Sequence, residues 1–251
     1  MENTVTRFSN RVSNYVKYRP GYPPEVLALF KNEMGLTRNS VMADIGSGTG
    51  LSAKLFLEND STVYGVEPNA AMREAAQLYL KAFPNFISHD GTAENTNLDD
   101  ASMDFVIAAQ AFHWFDSERT RTEFQRVLKP GGYIALLWNE RQLDTTQFLR
   151  EYEKFLLRHA RDYEKVRHEN IDQEKLADFF QAKYKFATFP NEQVFDLNGL
   201  RGRLLSASYM PADDDPSFPA LEKELSELFA KYAEDGRIKV FYDTNVYYKQ
   251  Y

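Results

Sequence analysis

A short apolar run that ends in three alternate glycines limits the folds open to this chain. The run occupies residues 41–45 (VMADI), residues 46–50 (GSGTG) follow it directly, and helical spacing begins at Leu51. Strand, turn and helix therefore come in succession. Only glycine lets a ligand lie directly on the backbone at such a turn. The stretch predicts a ligand-binding strand–turn–helix unit of an open α/β sheet.

Apolar runs and helical patterns alternate through the first 140 residues, which is typical of βαβ units in a parallel sheet covered on both faces. Strands are predicted at residues 41–45, 62–66, 86–88, 104–109 and 133–138. Helices are predicted at 51–57, 70–83 and 117–128, and a turn at 129–132 (KPGG). This part of the chain therefore predicts an α/β core with strands buried in its middle.

The pattern changes after residue 139. Residues 145–180 are helical in spacing, with Phe148, Tyr152 and Phe155 on one face, and we interpret them as an inserted cap. Further strands are predicted at 186–195 and 238–248, and helices at 197–207 and 218–234. The expected division is an N-terminal helical lid (1–38), a ligand-binding core (39–140), a helical cap (141–183) and a C-terminal part that completes the sheet (184–251).

Composition narrows the chemistry. With 251 residues and 43% hydrophobic content, the chain can bury one substantial core with a cap. It has no cysteine, which excludes disulfides and thiolate metal sites, and no metal is expected because His89, His113, His159 and His168 never fall at a ligand-like i, i+4 spacing.

Charge and hydropathy bear on partners and location. A net charge of -7 without a basic run argues against nucleic acid as a partner. Residues 1–10 lack the apolar core of a secretory signal, and no stretch reaches the roughly 18 to 20 apolar residues that span a bilayer. We therefore expect a cytoplasmic monomer or homodimer, without a membrane partner, that acts on a small molecule.

Two carboxylates suggest the ligand of the glycine loop. A dinucleotide loop reads G-x-G-x-x-G and presents a helix N-terminus to a pyrophosphate, whereas this loop reads G-x-G-x-G and follows Asp44. A carboxylate there would repel phosphate but suit an ammonium group. Glu67, at the end of the second strand, is placed to accept ribose hydroxyls. A nucleoside that carries an amino acid fits both, although a tight turn with Asp44 as a helix cap is the alternative.

These residues resemble motif I and the following acidic position of class I S-adenosylmethionine-dependent methyltransferases, over residues 41–139. The resemblance implies a Rossmann-like, doubly wound sheet of seven strands, mostly parallel with the last antiparallel, and an inserted helical cap. It implies S-adenosyl-L-methionine as cofactor, with the loop behind its methionine part and the acid on its ribose. The donor-binding residues expected here are Asp44, Gly46, Ser47, Gly48, Gly50, Glu67, Pro68 and Met72.

Two further segments complete the expected donor site. Residues 89–94 (HDGTAE) follow strand three, where the family places an acid on the adenine amino group, although Asp-Gly is also a common turn. Residues 109–115 (AQAFHWF) follow strand four, at the carboxyl end of the sheet where open α/β proteins bind ligands. The donor contacts expected in these segments are Asp90, Gly91, Thr92, Ala93, Gln110, Ala111 and Trp114.

The string AFHWF is similar to the subfamily that contains trans-aconitate methyltransferase and related small-molecule methyltransferases. His113 is a candidate catalytic base, because a phenol, alcohol or amine acceptor needs a group of near-neutral pKa. A hydrogen-bonded core histidine is the alternative. A carboxylate acceptor needs no base.

The segment before the first strand resembles that subfamily's lid. Tyr15, Tyr18 and Arg19 share a helical face until Pro20 stops the helix. Tyr18 and Arg19 are predicted to act in catalysis, with Arg19 gripping the methionine carboxylate or an acidic substrate. A solvated surface helix is the alternative. The residues expected to recognise the substrate are Tyr15, Arg203 and Tyr209.

The leading prediction is methyl transfer to an oxygen nucleophile of a small molecule, such as a carboxylate, by in-line displacement. Alternatives are C-methylation of a quinone precursor or sterol-like ring, and a non-catalytic S-adenosylmethionine-binding protein. A dehydrogenase shares the sheet and the glycine loop, but Asp44 and the loop spacing argue against it.

Overall fold

The computed structural model describes residues 12–161, 163 and 173–251, so His168, the start of the predicted lid and part of the predicted cap lie outside the described residues. The helices are α1 (Val12–Tyr18), α2 (Pro24–Met34), α3 (Leu51–Leu57), α4 (Ala70–Tyr79), α5 (Ser117–Val127), α6 (Gln147–His159), α7 (Gln173–Phe180), α8 (Leu197–Leu205) and α9 (Phe218–Tyr232). Within those ranges no helix has the length and apolarity that a membrane span requires.

One mixed sheet organises the chain. Its strands are β1 (Val41–Ile45), β2 (Thr62–Val66), β3 (Phe86–His89), β4 (Met103–Ala109), β5 (Leu128–Arg141), β6 (Lys185–Phe195) and β7 (Ile238–Gln250). The order across the sheet is β3-β2-β1-β4-β5-β7-β6. The first five strands pair in parallel, and β7 is antiparallel to both of its neighbours. The Rossmann-like sheet of seven strands with a single antiparallel strand is thereby confirmed.

The order of the strands places a cleft at one edge of the sheet. The chain moves outward from β1 through β2 to β3 and then returns to β4 on the other side of β1. At such a reversal the loops after two neighbouring strands diverge, and ligands bind outside the carboxyl ends of the strands. The glycine loop after β1 and the aromatic segment after β4 flank this point.

The fifth strand differs from its prediction. Because β5 spans Leu128–Arg141, the stretch predicted as a turn at 129–132 lies inside the strand. Gly131 has a left-handed φ of 81°, and its N–H donates to the carbonyl of Tyr251 at 2.7 Å. Pairing with the end of the chain therefore outweighs the local turn preference. Helix α4 also differs from its prediction, because it ends at Tyr79 instead of Phe83.

Buried apolar side chains form three groups. One group lies between α2, α3 and one face of the sheet, and includes Phe30 and Phe56. The second lies on the opposite face under α5 and α7, and includes Trp138 and Phe179. The third joins α6, α8 and α9 to the adjoining ends of β6 and β7 around residues such as Phe155. We call α6, α8 and α9 the cap.

The cap differs in make-up from the predicted one. The predicted helical region 145–180 does not pack as one unit, because Leu176, Phe179 and Phe180 of α7 are buried against the sheet. Conversely, α8 and α9 pack with α6 although they follow β6 in the chain. A hydrophobic face alone does not say which surface it will cover. The division of the chain at residues 38, 140 and 183 stays a prediction.

Candidate functional site

A cavity lies at the carboxyl ends of β1, β2, β4 and β5, where α1 and the cap cover the edge of the sheet. The predicted site residues that line it are Tyr15, Arg19, Gly46, Ser47, Gly48, Glu67, Pro68, Met72, Gln110, Ala111, Trp114, Arg203 and Tyr209. The predicted residues outside its lining are Tyr18, Asp44, Gly50, Asp90, Gly91, Thr92, Ala93 and His113.

The glycine loop forms one wall. Gly46, Gly48 and Gly50 all take left-handed φ values, of 66°, 54° and 83°. A Cβ on Gly46 would lie 2.7 Å from the Cβ of Ala111, so the loop closely approaches the segment after β4. A Cβ on Gly50 would instead lie 2.5 Å from Leu80. Gly50 therefore serves the packing of α3 against the end of α4, away from the cavity.

Glu67 joins the end of β2 to the glycine loop. Its Oε2 accepts from the N–H of Gly48 at 3.0 Å, and its Oε1 accepts from the N–H of Asn69 at 2.9 Å. Burial raises the pKa of this carboxyl despite these two hydrogen bonds. Each carboxylate oxygen keeps a second acceptor position. Glu67 can therefore accept hydroxyls from a ligand while it holds the loop.

Asp44 lies behind the loop and is fully buried. The hydroxyl of Ser52 donates to its Oδ2 at 2.6 Å. Burial raises the pKa of Asp44 to about 7, the hydrogen bonds from Ser52 and the Ala53 backbone oppose that rise, and the charge of Glu67 adds to it. Because Asp44 does not line the cavity, its contact with a ligand ammonium stays a prediction.

Gln110 carries unusual features at the end of β4. It is a non-glycine residue with a left-handed φ of 58°, a conformation that costs about 1 to 3 kcal/mol and is concentrated at functional sites. Its Nε2 donates to the carbonyl of Asn139 at 3.0 Å. Its Oε1 is buried and accepts no hydrogen bond from the described residues. A ligand donor at this edge of the cavity would satisfy that oxygen.

His113 lies beside the cavity wall with a lowered pKa. Burial, followed by the charge of Lys175, lowers its pKa to about 4, below the near-neutral range expected for a base, and its catalytic role stays a prediction. The ring packs at 4.8 Å from that of Trp114, which lines the cavity. Over residues 12–161, 163 and 173–251 no group of three His, Asp or Glu is placed to hold a metal ion.

The residues predicted to hold adenine lie beyond the cavity. Asp90 pairs at the surface with Arg73 at 2.9 Å. A Cβ on Gly91 would lie 2.7 Å from the carbonyl of Thr96, so Gly91 allows a close backbone approach. Thr92 accepts from the N–H of Asn95, and Ala93 is in the core. Their contact with adenine stays a prediction.

Two arginines dominate the far end of the cavity. Nη2 of Arg19 donates to the carbonyl of Ser206 at 3.0 Å, and burial, followed by the charge of Arg203, lowers the pKa of Arg19. Arg203 is 9% exposed, and its Nε donates to the hydroxyl of Tyr242 at 3.3 Å. In the described part of the chain neither guanidinium forms a salt bridge.

A third arginine at this end is already paired. Arg141, the last residue of β5, forms an ion pair with Glu153 of α6. The same nitrogen donates to the hydroxyl of Tyr163 at 2.8 Å, and that hydroxyl donates to Glu153 at 2.8 Å. The three side chains therefore close a triangle against the cavity wall.

Tyr18 faces away from the cavity. A Cβ on Gly202 of α8 would lie 2.1 Å from its ring, so Tyr18 packs directly on that helix. Tyr15 and Arg19 stay together, with the guanidinium 5.0 Å from the centre of the tyrosine ring. Tyr18 therefore contacts α8 while Tyr15 and Arg19 line the cavity, and the catalytic role of Tyr18 stays a prediction.

Several residues that line the cavity were not predicted from the sequence. Asn139 and Arg141 lie at the carboxyl end of β5, and that position is a signal that could have identified them. Tyr242 lies opposite Arg141 in the β5–β7 register, which the sequence does not reveal. Tyr22 and Tyr163 also line the cavity, without any motif of their own.

Comparison with known proteins agrees with this arrangement. A family model described as a methyltransferase domain matches residues 43–136. A methyltransferase-like protein of Schizosaccharomyces pombe is 27% identical over 245 residues, 94% of this chain and 92% of that protein. A methyltransferase of Mycobacterium bovis is 37% identical over 134 residues, 53% of this chain and 52% of that protein, so this match spans only about half the length of that relative.

A solved structure extends the likeness to the whole fold. A proposed type II methyltransferase from Anaeromyxobacter dehalogenans aligns with a TM-score of 0.69 at 21% identity, over 93% of this chain and 98% of that one. The likeness shows that the two chains share the same overall fold. The chain is thus an S-adenosylmethionine-dependent methyltransferase with a Rossmann-like fold.

Proposed function

We propose that this enzyme methylates a carboxylate oxygen of a small acidic molecule. The observation that carries the proposal is the pair Arg19 and Arg203, which line the far end of the cavity without a salt bridge to any described residue. Guanidinium groups bind carboxylates through two parallel N–H donors, and a buried cation without a partner is costly. An anionic acceptor would supply the missing charge.

The donor end supports the same arrangement. S-adenosylmethionine would lie along the glycine loop, with its ribose hydroxyls on Glu67 and its amino-acid part toward Asp44 and Gln110. The unpaired Oε1 of Gln110 fits a polar ligand group held there. The sulfonium would then face the arginine end, where Trp114 adds an aromatic wall.

The reaction needs little beyond alignment. A carboxylate oxygen attacks the methyl carbon, the carbon–sulfur bond breaks, and its electron pair stays on sulfur. The products are a methyl ester and S-adenosyl-L-homocysteine. A carboxylate is already nucleophilic, so no proton has to be removed, which agrees with the low pKa of His113. Positioning can lower such a barrier by about 7 to 11 kcal/mol.

The remaining roles follow from the same placement. Tyr15, Tyr209 and Tyr242 would bind the rest of the acceptor through their hydroxyls. Tyr18 would act by docking α1, and His113 by supporting Trp114. The likeness of AFHWF to the trans-aconitate subfamily also favours an acid as acceptor. We expect a cytoplasmic monomer or homodimer that has no nucleic-acid or membrane partner.

A product analysis tests the proposal. The enzyme would be incubated with methyl-labelled donor and panels of carboxylic acids, phenols, amines and quinone precursors. We expect label in base-labile methyl esters, and at least a tenfold loss of kcat/KM in Arg203→Gln, because a charge-assisted contact is lost. The control is Arg201→Gln, whose partner Glu222 lies outside the cavity lining. Label in base-stable carbon or nitrogen bonds would reject the ester assignment.

A further inference from the structure

The triangle of Arg141, Glu153 and Tyr163 borders the cavity but has no role in the proposed reaction. Arg141 and Tyr163 line the same cavity as Arg19 and Arg203. The side chains of Arg141 and Glu153 are 10% and 11% exposed, so their ion pair is largely shielded from water. The hydroxyl of Tyr163 bonds to both partners and fixes their geometry. The protein therefore supplies its own carboxylate to one of three neighbouring guanidiniums.

The charges at this end can be counted. Tyr209 is close enough to all three arginines to interact electrostatically with each. Glu153 is the carboxylate that is paired with one of them. Among the described residues, two other acidic side chains line the cavity: Glu67 lies at the glycine loop, and Glu140 is on the opposite face of β5 from Arg141, near Tyr247. Within the described part of the chain, two of the three arginine charges at the acceptor end therefore have no carboxylate paired with them.

We infer that Glu153 determines how many negative charges the acceptor can carry, because it pairs with Arg141 as an additional carboxylate of a substrate would. This inference rests on the proposed carboxylate methylation. An acceptor with a further carboxylate near Arg141 would meet Glu153 at close range, and like charges in a shielded site repel strongly. Glu153 is thus a specificity-determining residue that touches Arg141 and leaves the donor site alone.

A pair of matched acids tests the inference. Pentanedioate and propane-1,2,3-tricarboxylate share a five-carbon chain and differ by one carboxylate. The readout is the ratio of kcat/KM for the tricarboxylate to that for the dicarboxylate. Glu153→Gln frees Arg141 and should raise this ratio about tenfold, mainly through a lower KM for the tricarboxylate. Glu151 lies on the same helix as Glu153, and Glu151→Gln breaks its exposed ion pair with Lys231 of α9. This control variant should leave the ratio unchanged.

The double variant Arg141→Gln/Glu153→Gln separates charge from structure. It removes the freed cation, so the ratio should return to the wild-type value, whereas a packing defect at residue 153 would persist. If Glu153→Gln is too unstable to purify, Tyr163→Phe takes its place. It removes the hydroxyl that bridges the ion pair, and the ratio should rise by about threefold. An unchanged ratio in a folded variant overturns the inference.

The two proposals fail in different ways. Methyl esters formed with an unchanged ratio would overturn the role of Glu153 and leave carboxylate methylation standing. Methylation of other acceptor classes, with no ester from any acid, would overturn both. If neither matched acid is methylated but another acid is, the ratio of their inhibition constants against that acid replaces the kinetic ratio, with the same expected direction.

Discussion

Glu67 holds the glycine loop and is placed to bind a ligand at the same time. Its two oxygens accept backbone N–H groups from Gly48 and Asn69 and keep acceptor positions open toward the cavity. Ribose hydroxyls of the donor would use those positions. Replacing the carboxylate therefore removes hydrogen bonds on both sides, to the loop and to the donor.

We predict that Glu67→Ala weakens donor binding about tenfold or more. Each lost hydrogen bond to a charged acceptor is worth about 1.5 to 3 kcal/mol. The dissociation constant of S-adenosylmethionine would be measured by calorimetry. Glu74→Ala, on the exposed side of α4, is the control and should bind normally. An unchanged dissociation constant in folded Glu67→Ala would reject the ribose assignment.

Asp44 should make stability depend on pH. Its pKa is about 7 in the folded protein, against 3.8 for an exposed aspartate. Between these values the folded state binds a proton that the unfolded state has lost, so the free energy of unfolding falls as pH rises from about 4 to 7 and then levels off. Urea unfolding at several pH values should show a smaller fall in Asp44→Asn. An equal slope in both proteins would contradict the buried, protonated carboxyl.

The sequence predicts that Glu67 meets the glycine loop, but it does not predict the triangle of Arg141, Glu153 and Tyr163, for a physical reason. Glu67 and the glycine loop lie on consecutive βαβ elements, so spacing along the chain fixes where they meet. Arg141, Glu153 and Tyr163 come from a strand, a helix and the segment beyond it. Their meeting depends on how α6 packs on the cap, and no local pattern encodes that packing.

At the scale of elements, the contact of α1 with α8 controls one wall of the site. Gly202 leaves room for the ring of Tyr18, and Arg19 follows α1 directly. The position of Arg19 in the cavity therefore depends on a helix contact made one residue earlier.

We predict that Gly202→Ala shifts α1 and raises the KM for the acceptor severalfold, with little change in donor affinity. The added methyl group would lie 2.1 Å from the Tyr18 ring, and such overpacking costs about 1 to 3 kcal/mol. Steady-state kinetics would measure it, and faster proteolysis near α1 would support it. Gly21→Ala, whose new Cβ meets nothing within 4 Å, is the control. An unaltered KM would show that α1 does not position Arg19.

Elements with purely local signals were predicted well, and those decided by distant pairing were not. β1, β2 and α3 have the predicted bounds, because an apolar run and a helical spacing define them. The KPGG stretch carries turn residues, yet it joins β5 because the end of the chain pairs with it. Helix α7 looks like cap helices in spacing, and only its packing on the sheet distinguishes it.

At the scale of the whole molecule, the donor and the acceptor are proposed to contact different cores. The glycine loop and the end of β2 rest on the two cores of the sheet, whereas Arg203 and Tyr209 belong to the cap. Separate packing units can open separately, and each is stabilised by what binds to it.

Hydrogen exchange should therefore show two patterns of protection. We expect S-adenosylhomocysteine alone to slow exchange in the glycine loop and after β4, and added pentanedioate to slow exchange further in α1 and α8. Pentanedioate without the donor product tests whether the cap responds by itself. Uniform protection across the chain with either ligand would argue against separate units.

The parallel half of the fold was predictable, and the join between the halves was not. Alternating strands and helices, with right-handed crossovers, leave few arrangements for residues 41–139. The placement of β7 between β5 and β6 depends on strands far apart in the chain. The arginine end of the cavity lies where the two halves meet, so its arrangement could not be predicted from the sequence.

The length of β5 has a consequence for how this enzyme can diverge. One unbroken strand runs from the sheet core to Arg141, beside β7 and Tyr242. The residues proposed to select the acceptor thus belong to the same strand as the sheet core, but they lie beyond its last parallel pairing with β4, at Leu137. Substitutions at this end of β5 can change acceptor selectivity without changing the donor site. This end of the strand is therefore the place to redesign the enzyme for new acids.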